Sequence, residues 1–225
     1  MESMNISKAV AGAVLGFALT SLAPHADATV FNVTVWEGNN IGGLSTDPME
    51  QALPTNPLAS GTANAMFTYT GDVNWSQGSG DPNTLDLFVG SGGGSITSCS
   101  GGSCSGTTGL MADVLSTGGF AQTTLFELTF TTSGAVSGVV THDDGASVYD
   151  STNSTSYLNS AAPTVAVADS FSLPGAGTYN LWYVEANGSP SNLNLSLQSV
   201  PEPATLSLLG LGLAGIGLAR RKRKS

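Results

Sequence analysis

Val30-Phe31-Asn32-Val33-Thr34-Val35-Trp36 decides the fold: Phe31, Val33 and Val35 fall on one side of an extended chain, and Asn32 and Thr34 on the other. Alternation with a period of two, carried by β-branched and aromatic residues, is the signature of a half-buried strand. The pattern recurs in Ala65-Met66-Phe67-Thr68-Tyr69-Thr70, Leu85-Asp86-Leu87-Phe88-Val89 and Leu125-Phe126-Glu127-Leu128-Thr129-Phe130. It recurs again in Val136-Ser137-Gly138-Val139-Val140, Thr178-Tyr179-Asn180-Leu181-Trp182-Tyr183-Val184 and Leu193-Asn194-Leu195-Ser196-Leu197. Turn-forming Gly, Ser, Asn and Asp clusters separate these runs, and no amphipathic helix stands between them. Seven such segments predict an all-β domain, an antiparallel β-sandwich. The composition of residues 90–109 suits a disordered, low-complexity matrix protein instead, but the aromatic runs on either side do not.

The charges are sorted along the chain. All six basic residues lie at the ends: Lys8, then Arg220, Arg221, Lys222, Arg223 and Lys224. Residues 29–200 hold no Lys or Arg, yet they hold thirteen of the sixteen acids, all but Glu2, Asp27 and Glu202. Ordinary ion pairs therefore cannot hold this region together. A surface of that sign repels nucleic acid and anionic lipid and attracts cations.

The first 28 residues predict a signal peptide, an N-terminal signal helix. Lys8 supplies the positive start, residues 9–22 a short apolar run, and Ala26-Asp27-Ala28 the small-x-small pattern that signal peptidase accepts, with cleavage before Thr29. The run is short for a membrane span and is closed by Pro24. At the other end, Pro201-Glu202-Pro203 precedes sixteen uncharged residues, 204–219, and then the basic cluster. Sixteen falls just under the ~17–25 of a transmembrane helix, so snorkelling flanks or local thinning must help it span. The basic end stays cytoplasmic and leaves the domain outside. The expected organisation is a signal peptide (1–28), an exported β-sandwich (29–199) and a membrane tail (200–225).

The order of signal peptide, Pro201-Glu202-Pro203, apolar helix and Arg220, Arg221, Lys222, Arg223, Lys224 resembles the PEP-CTERM sorting signal. The resemblance covers about the last 25 residues of the chain. It implies a Gram-negative, often biofilm-forming host that makes exopolysaccharide. It also implies an exosortase as partner, a membrane cysteine transpeptidase that processes the tail near the motif. The protein then passes through the inner membrane to the cell surface or extracellular matrix. The destination follows from this; the work of the domain does not.

Cys99 and Cys104 are the only cysteines, in Cys-Ser-Gly-Gly-Ser-Cys. In an exported protein an isolated close pair predicts a disulfide pinning one loop. A metal site would need more Cys or His, and His142 is the only histidine after the signal segment.

The segment Val139-Val140-Thr141-His142-Asp143-Asp144-Gly145-Ala146-Ser147-Val148-Tyr149 runs as strand, Asp-Asp-Gly turn, strand. Further on come Gly177-Thr178-Tyr179 and Tyr183-Val184-Glu185, and earlier Phe67-Thr68-Tyr69-Thr70-Gly71. This order resembles the protective-antigen-type β-sandwich of bacterial toxins, glycosidases and yeast adhesins, over roughly residues 63–197. Where such domains are lectins, the resemblance implies a calcium ion on the adjacent aspartates, here Asp143 and Asp144, that also touches sugar hydroxyls. The family's Asp-Gly after the second strand is replaced here by Asp150-Ser151-Thr152.

Two readings of Asp143 and Asp144 stay open. Adjacent carboxylates with no basic residue at hand suit a hard cation, which takes six to eight oxygens. Asp150, Asn153, Asn187 or backbone carbonyls would complete its shell. Alternatively, Asp-Asp-Gly is simply turn chemistry, with Gly tolerating a positive φ.

Catalysis is not expected. A nucleophilic triad would have to use His142, set among acids in a turn, and no phosphate-binding loop opens a helix. Two functions remain: a surface module that binds calcium and carbohydrate and associates with exopolysaccharide, or a structural matrix or coat protein with no specific ligand. Exposed Trp75 or Trp182 beside the Asp-Asp loop would favour the first, and buried ones the second.

Overall fold

The computed structural model describes residues 29–40, 43–200 and 212. The expected signal segment 1–28, the expected sorting residues Pro201, Glu202 and Pro203, and the basic end lie outside the described residues, as does the apolar run but for residue 212. Among the described residues no helix is long and apolar enough to cross a membrane.

The strands are β1 (Val30–Asn39), β2 (Ala65–Thr70), β3 (Asn74–Gln77), β4 (Ser95–Ser100), β5 (Gln122–Thr132) and β6 (Val136–Asp143). They continue with β7 (Gly145–Asp150), β8 (Ser156–Ser160), β9 (Val167–Leu173), β10 (Gly177–Glu185) and β11 (Ser191–Ser199). One sheet has seven strands in the order β4-β2-β1-β5-β10-β7-β8, the other four in the order β3-β11-β6-β9. Every pairing is antiparallel. The β-sandwich read from the alternating runs is therefore the fold.

Period two explains the core. Phe31, Val33 and Val35 of β1 point inward with Phe126, Leu128 and Phe130 of β5 and with Tyr179, Leu181 and Tyr183 of β10. Val140, Phe171 and Leu193 meet them from the smaller sheet, and Trp75 packs edge-on against Tyr69. β10 departs from simple alternation and is buried along both faces from Tyr179 to Glu185. The reason is a second apolar cluster on the outer face, where Trp36 stacks on Trp182 and Leu125, Val184 and Ala52 pack beside them. The segment between β1 and β2 folds over that face through two short 3-10 turns, Pro48–Glu50 and Pro57–Ser60.

Residues 85–89 correct the sequence reading. They form the helix α1 (Leu85–Gly90), not a strand. Leu85, Phe88 and Val89 are the buried residues, at spacing i, i+3 and i+4, whereas Leu87 is half exposed. A five-residue apolar run fits either period, and here the helical one is chosen by the core. The Gly-rich stretch is likewise not structureless. β4 lies within it, paired along β2, and a disulfide joins Cys99 to Cys104 with Cα atoms 5.8 Å apart.

That bridge closes a small ring already held by Cys99 N–H to Thr107 O and Ser103 N–H to Asn64 O. Replacing both cysteines by Ser should cost about 2 kcal/mol, from the loop entropy restored to the unfolded chain. The melting temperature should fall by roughly 4–8 °C with an unchanged β-sheet circular dichroism spectrum. Loss of that spectrum would make the bridge a staple of the whole fold.

The registers give the sandwich two poles. Asn39 pairs with Gln122, Glu185 with Thr124 and Asn192 with Asp143 at one pole. Val30 pairs with Thr70, Gly177 with Thr132 and Ser199 with Val136 at the other. Thr29 and Val200, the points from which both terminal segments leave, share this second pole.

Candidate functional site

β6 and β7 belong to different sheets, and only Asp144 stands between them. The Asp-Asp-Gly segment is thus a one-residue crossover at the pole away from the tail, not a hairpin turn. Gly145 has no positive φ; it is glycine because a Cβ there would lie 2.1 Å from the Ala161 carbonyl oxygen. The turn-chemistry rationale for this glycine therefore fails, and close backbone approach replaces it.

The Asp143–Asp144 peptide is cis, as is Ser189–Pro190 facing it. Asp144 is almost wholly buried, and its Oδ2 accepts the N–H groups of Ala186, at 2.8 Å, and Asn187, at 3.1 Å. Those two bonds fix the β10–β11 loop onto the crossover. Asp143 is half-buried beside the backbone of Ala166. Together they form the floor of an open cleft of about 550 Å3. Phe120, Pro163, Val165 and Pro190 give it an apolar wall, and Asn187 and Ser189 give polar groups. Val165 is 81% exposed.

His142 is fully buried behind this floor and bridges two elements. Its Nδ1 lies 2.5 Å from the Asp144 carbonyl oxygen, and its Nε2 lies 3.0 Å from Asp169 Oδ2 on β9. Because a carbonyl oxygen can only accept, Nδ1 carries a proton. The ring is a strut between β6 and β9.

Two further acids, which the sequence reading did not single out, lie beside the pair. Glu50 and Glu185 are fully buried. Glu50 accepts from Asn40 at 2.9 Å and from the Thr123 hydroxyl at 2.5 Å. Glu185 accepts from the Ser116 hydroxyl at 2.8 Å. The Tyr183 hydroxyl lies 2.5 Å from the Asp143 carbonyl oxygen and 2.8 Å from Glu185 Oε2. One phenol proton cannot serve both; given to the carbonyl, it leaves a protonated Glu185 to donate to the phenol oxygen.

Burial, followed by the neighbouring Asp144 charge, holds Glu185 well above the usual carboxylate range. Burial also lifts Asp144, to about 6, with repulsion from Asp143 and Glu50 adding to it. Asp143 and Glu50 are raised too, mainly by burial. Four carboxyl groups thus gather at one pole of a domain without Lys or Arg, where His142 opposes the rise at Asp143. Period two could have exposed Glu185, which shares the inward face with Tyr179, Leu181 and Tyr183. For Glu50 the sequence offers no such sign.

Of the further ligands that the sequence offers, Asn187 lines the cleft; its Oδ1 accepts the Gly119 N–H at 3.1 Å. Asp150 and Asn153 do not approach it. Asp150 ends β7, five residues or roughly 17 Å along the strand from Gly145, and Asn153 lies in the turn beyond it. Asp150 there accepts from Thr152 and Ser154, which holds it well below the usual range. Asn153 accepts from Asn180 at 3.0 Å and from the Trp182 indole N–H at 3.1 Å. Among the described residues no set of three or more His, Cys, Asp or Glu could hold a metal ion. The side chains lining the cleft offer two carboxylates, the Asn187 amide and the Thr164 and Ser189 hydroxyls, donors of the hard kind that calcium takes and a thiophilic metal does not. Trp75 and Trp182, at 0% and 3% exposed, form no stacking surface.

Residues 199–224 match the family model of the PEP-CTERM protein-sorting motif. That motif marks an exported protein processed by an exosortase. No curated protein matches the chain. Among solved structures, the sandwich is similar to the PA14 sugar-binding domain from an RTX adhesin, with 16% identity and a TM-score of 0.50 over 77% of this chain and 90% of that one. It is also similar to the PA14 domain of the MpAFP antifreeze protein, with 14% identity and a TM-score of 0.45 over 78% of this chain and 83% of that one. The first likeness establishes a shared fold.

Proposed function

We propose that this is a non-catalytic surface protein that holds extracellular carbohydrate through a calcium-dependent cleft at Asp143 and Asp144. The observation that carries this reading is the adjacent Asp pair on the floor of an open cleft, at the pole opposite the exit of the tail. Asp143, Asp144 and the Asn187 amide would hold the cation, which supplies an electrophilic centre for neighbouring sugar hydroxyls. The chain's own part is steric and polar. The wall of Phe120, Pro163, Val165 and Pro190 meets the C–H face of a sugar, while Ser189 and Thr164 hydroxyls line the same cleft. The similarity to a sugar-binding PA14 domain supports the reading by analogy of fold.

A signal peptide at 1–28 delivers the chain, and the apolar run 204–219 holds it in the inner membrane of a Gram-negative cell until exosortase acts. The product then associates with exopolysaccharide in the surface matrix, its cleft facing away from the point of attachment.

The burial of Trp75 and Trp182 favours a second reading, a coat or matrix protein without a ligand. The two readings separate in one experiment. Loose screening by cations depends only on ionic strength, whereas a coordinated ion stabilises by RT ln(1 + [L]/Kd), about 2.7 kcal/mol at a hundredfold excess over Kd. Millimolar calcium should therefore raise the melting temperature beyond matched sodium chloride, and Asp143→Asn/Asp144→Asn should abolish the excess. Binding to polysaccharide from the producing cell should follow calcium in the same way. Equal effects of the two salts, with no glycan retained, would leave the matrix reading.

A further inference from the structure

The Pro-Glu-Pro of the sorting motif starts at Pro201, immediately after Val200, whose N–H still donates to the Ala135 carbonyl at 2.9 Å. There is no spacer between the fold and the motif. Four residue steps separate Val200 from Ala204, where the apolar run begins. Fully extended, they reach roughly 14 Å. The sandwich above them is wide: seven strands at about 4.8 Å apart make its larger sheet roughly 30 Å across.

The last part of β11 differs from its first. Residues 192–194 are flanked by β3 on one side and β6 on the other, whereas residues 196–199 pair with β6 alone. Ser196, Gln198 and Ser199 are exposed and Leu197 is half-buried. Leu197 stands opposite Gly138, which offers it no cross-strand side chain. A strand end paired on one side, with one partly buried apolar residue, belongs to the low-stability end of a structure.

An enzyme that takes the chain beside the motif in extended form would need backbone N–H and C=O groups that residues 196–199 have committed to β6. Each N–H serves one acceptor at a time. So short a tether keeps the motif close under a much wider domain, and a zipped last strand leaves a membrane-embedded enzyme little room to approach it. We propose that residues 196–200 form a releasable strap, and that its detachment from β6 and Ala135 is required for exosortase processing. The folded domain thereby sets the rate at which its own tail is processed. This rests on processing near the motif and is independent of the carbohydrate reading.

The test follows tail loss by immunoblot of the full chain in membranes that contain the exosortase. Inserting six Gly/Ser residues between Val200 and Pro201 should make processing several times faster. Ser137→Cys/Gln198→Cys joins directly opposed, exposed positions of β6 and β11. Oxidised, this variant should resist processing, and reductant should restore it to the rate of wild type under the same reductant, which also opens the Cys99–Cys104 bridge in both. A locked chain processed at the wild-type rate overturns the proposal, as does a spacer without effect. If even the spacer chain keeps its tail, the sorting reading fails and the strap with it.

Discussion

Gly145→Ala is expected to destabilise the exported domain by about 3 kcal/mol, lowering its melting temperature by roughly 6–12 °C. A Cβ at Gly145 would stand 2.1 Å from the Ala161 carbonyl oxygen, 2.7 Å from its carbon and 3.1 Å from the Ala162 carbonyl oxygen. These are backbone atoms, so no rotamer change relieves the clash. Ala161 O is already committed to the Ala52 N–H at 2.9 Å, the bond that pins the outer-face segment to the sheet. Moving one breaks the other and loosens the Trp36–Trp182 cluster beneath. The neighbouring Asp144 would shift with Gly145, and its two bonds to Ala186 and Asn187 would weaken. The variant should therefore also lose part of any calcium response. Gly134→Ala is the control, because a Cβ there meets nothing within 4 Å. A Gly145→Ala melting curve superimposable on wild type would show that the 161–162 backbone yields freely.

Strands whose inward faces carry aromatic or branched residues were legible because the core needs those residues at alternate positions and nothing else does. β1, β2, β5 and β10 are of this kind, and their pairing builds the centre of the larger sheet. β4, β8 and β9 left little trace. They are edge strands rich in Ser, and one neighbour suffices to hold them. α1 was misread because five residues cannot separate a period of 2 from one of 3.6. The Asp143–Asp144 pair was legible as an oddity of adjacent charges, but its surroundings were not. Its neighbours Glu50, Asn187 and Ala166 come from three distant loops that only the sheet crossover brings to one pole. Asp150 and Asn153 were the natural guesses from proximity in sequence. Six residues of extended strand carry them to the opposite end.

The calcium-free domain is expected to be most stable near pH 5 and to weaken as the pH rises towards 8, against the habit of proteins held by ion-paired carboxylates. The leading cause is Glu37 on β1. Burial, with repulsion from Asp113 adding to it, pushes Glu37 from its ordinary 4.5 to about 7. One of its carboxylate oxygens, Oε1, is buried without a hydrogen-bond partner, while Oε2 accepts from Asn64 at 3.2 Å. Below the unfolded value both states hold the proton and nothing is lost. Between 4.5 and about 7 the unfolded chain releases a proton that the folded chain keeps, so stability falls as pH rises. Above about 7 the loss is complete. The ceiling is about 3 kcal/mol, reduced by solvent screening because Glu37 keeps some exposure. Asp144 and Glu185, also raised, act in the same direction. Asp47 and Asp169, held low by hydrogen bonds, bring the acid limb below about pH 4. Glu37→Gln keeps an acceptor for Asn64 and removes the ionisation. It should raise the urea midpoint at pH 8 while leaving the pH 5 midpoint near wild type. If the wild-type midpoint is flat or rises between pH 5 and 8, Glu37 is ionised throughout and its burial does not govern its proton.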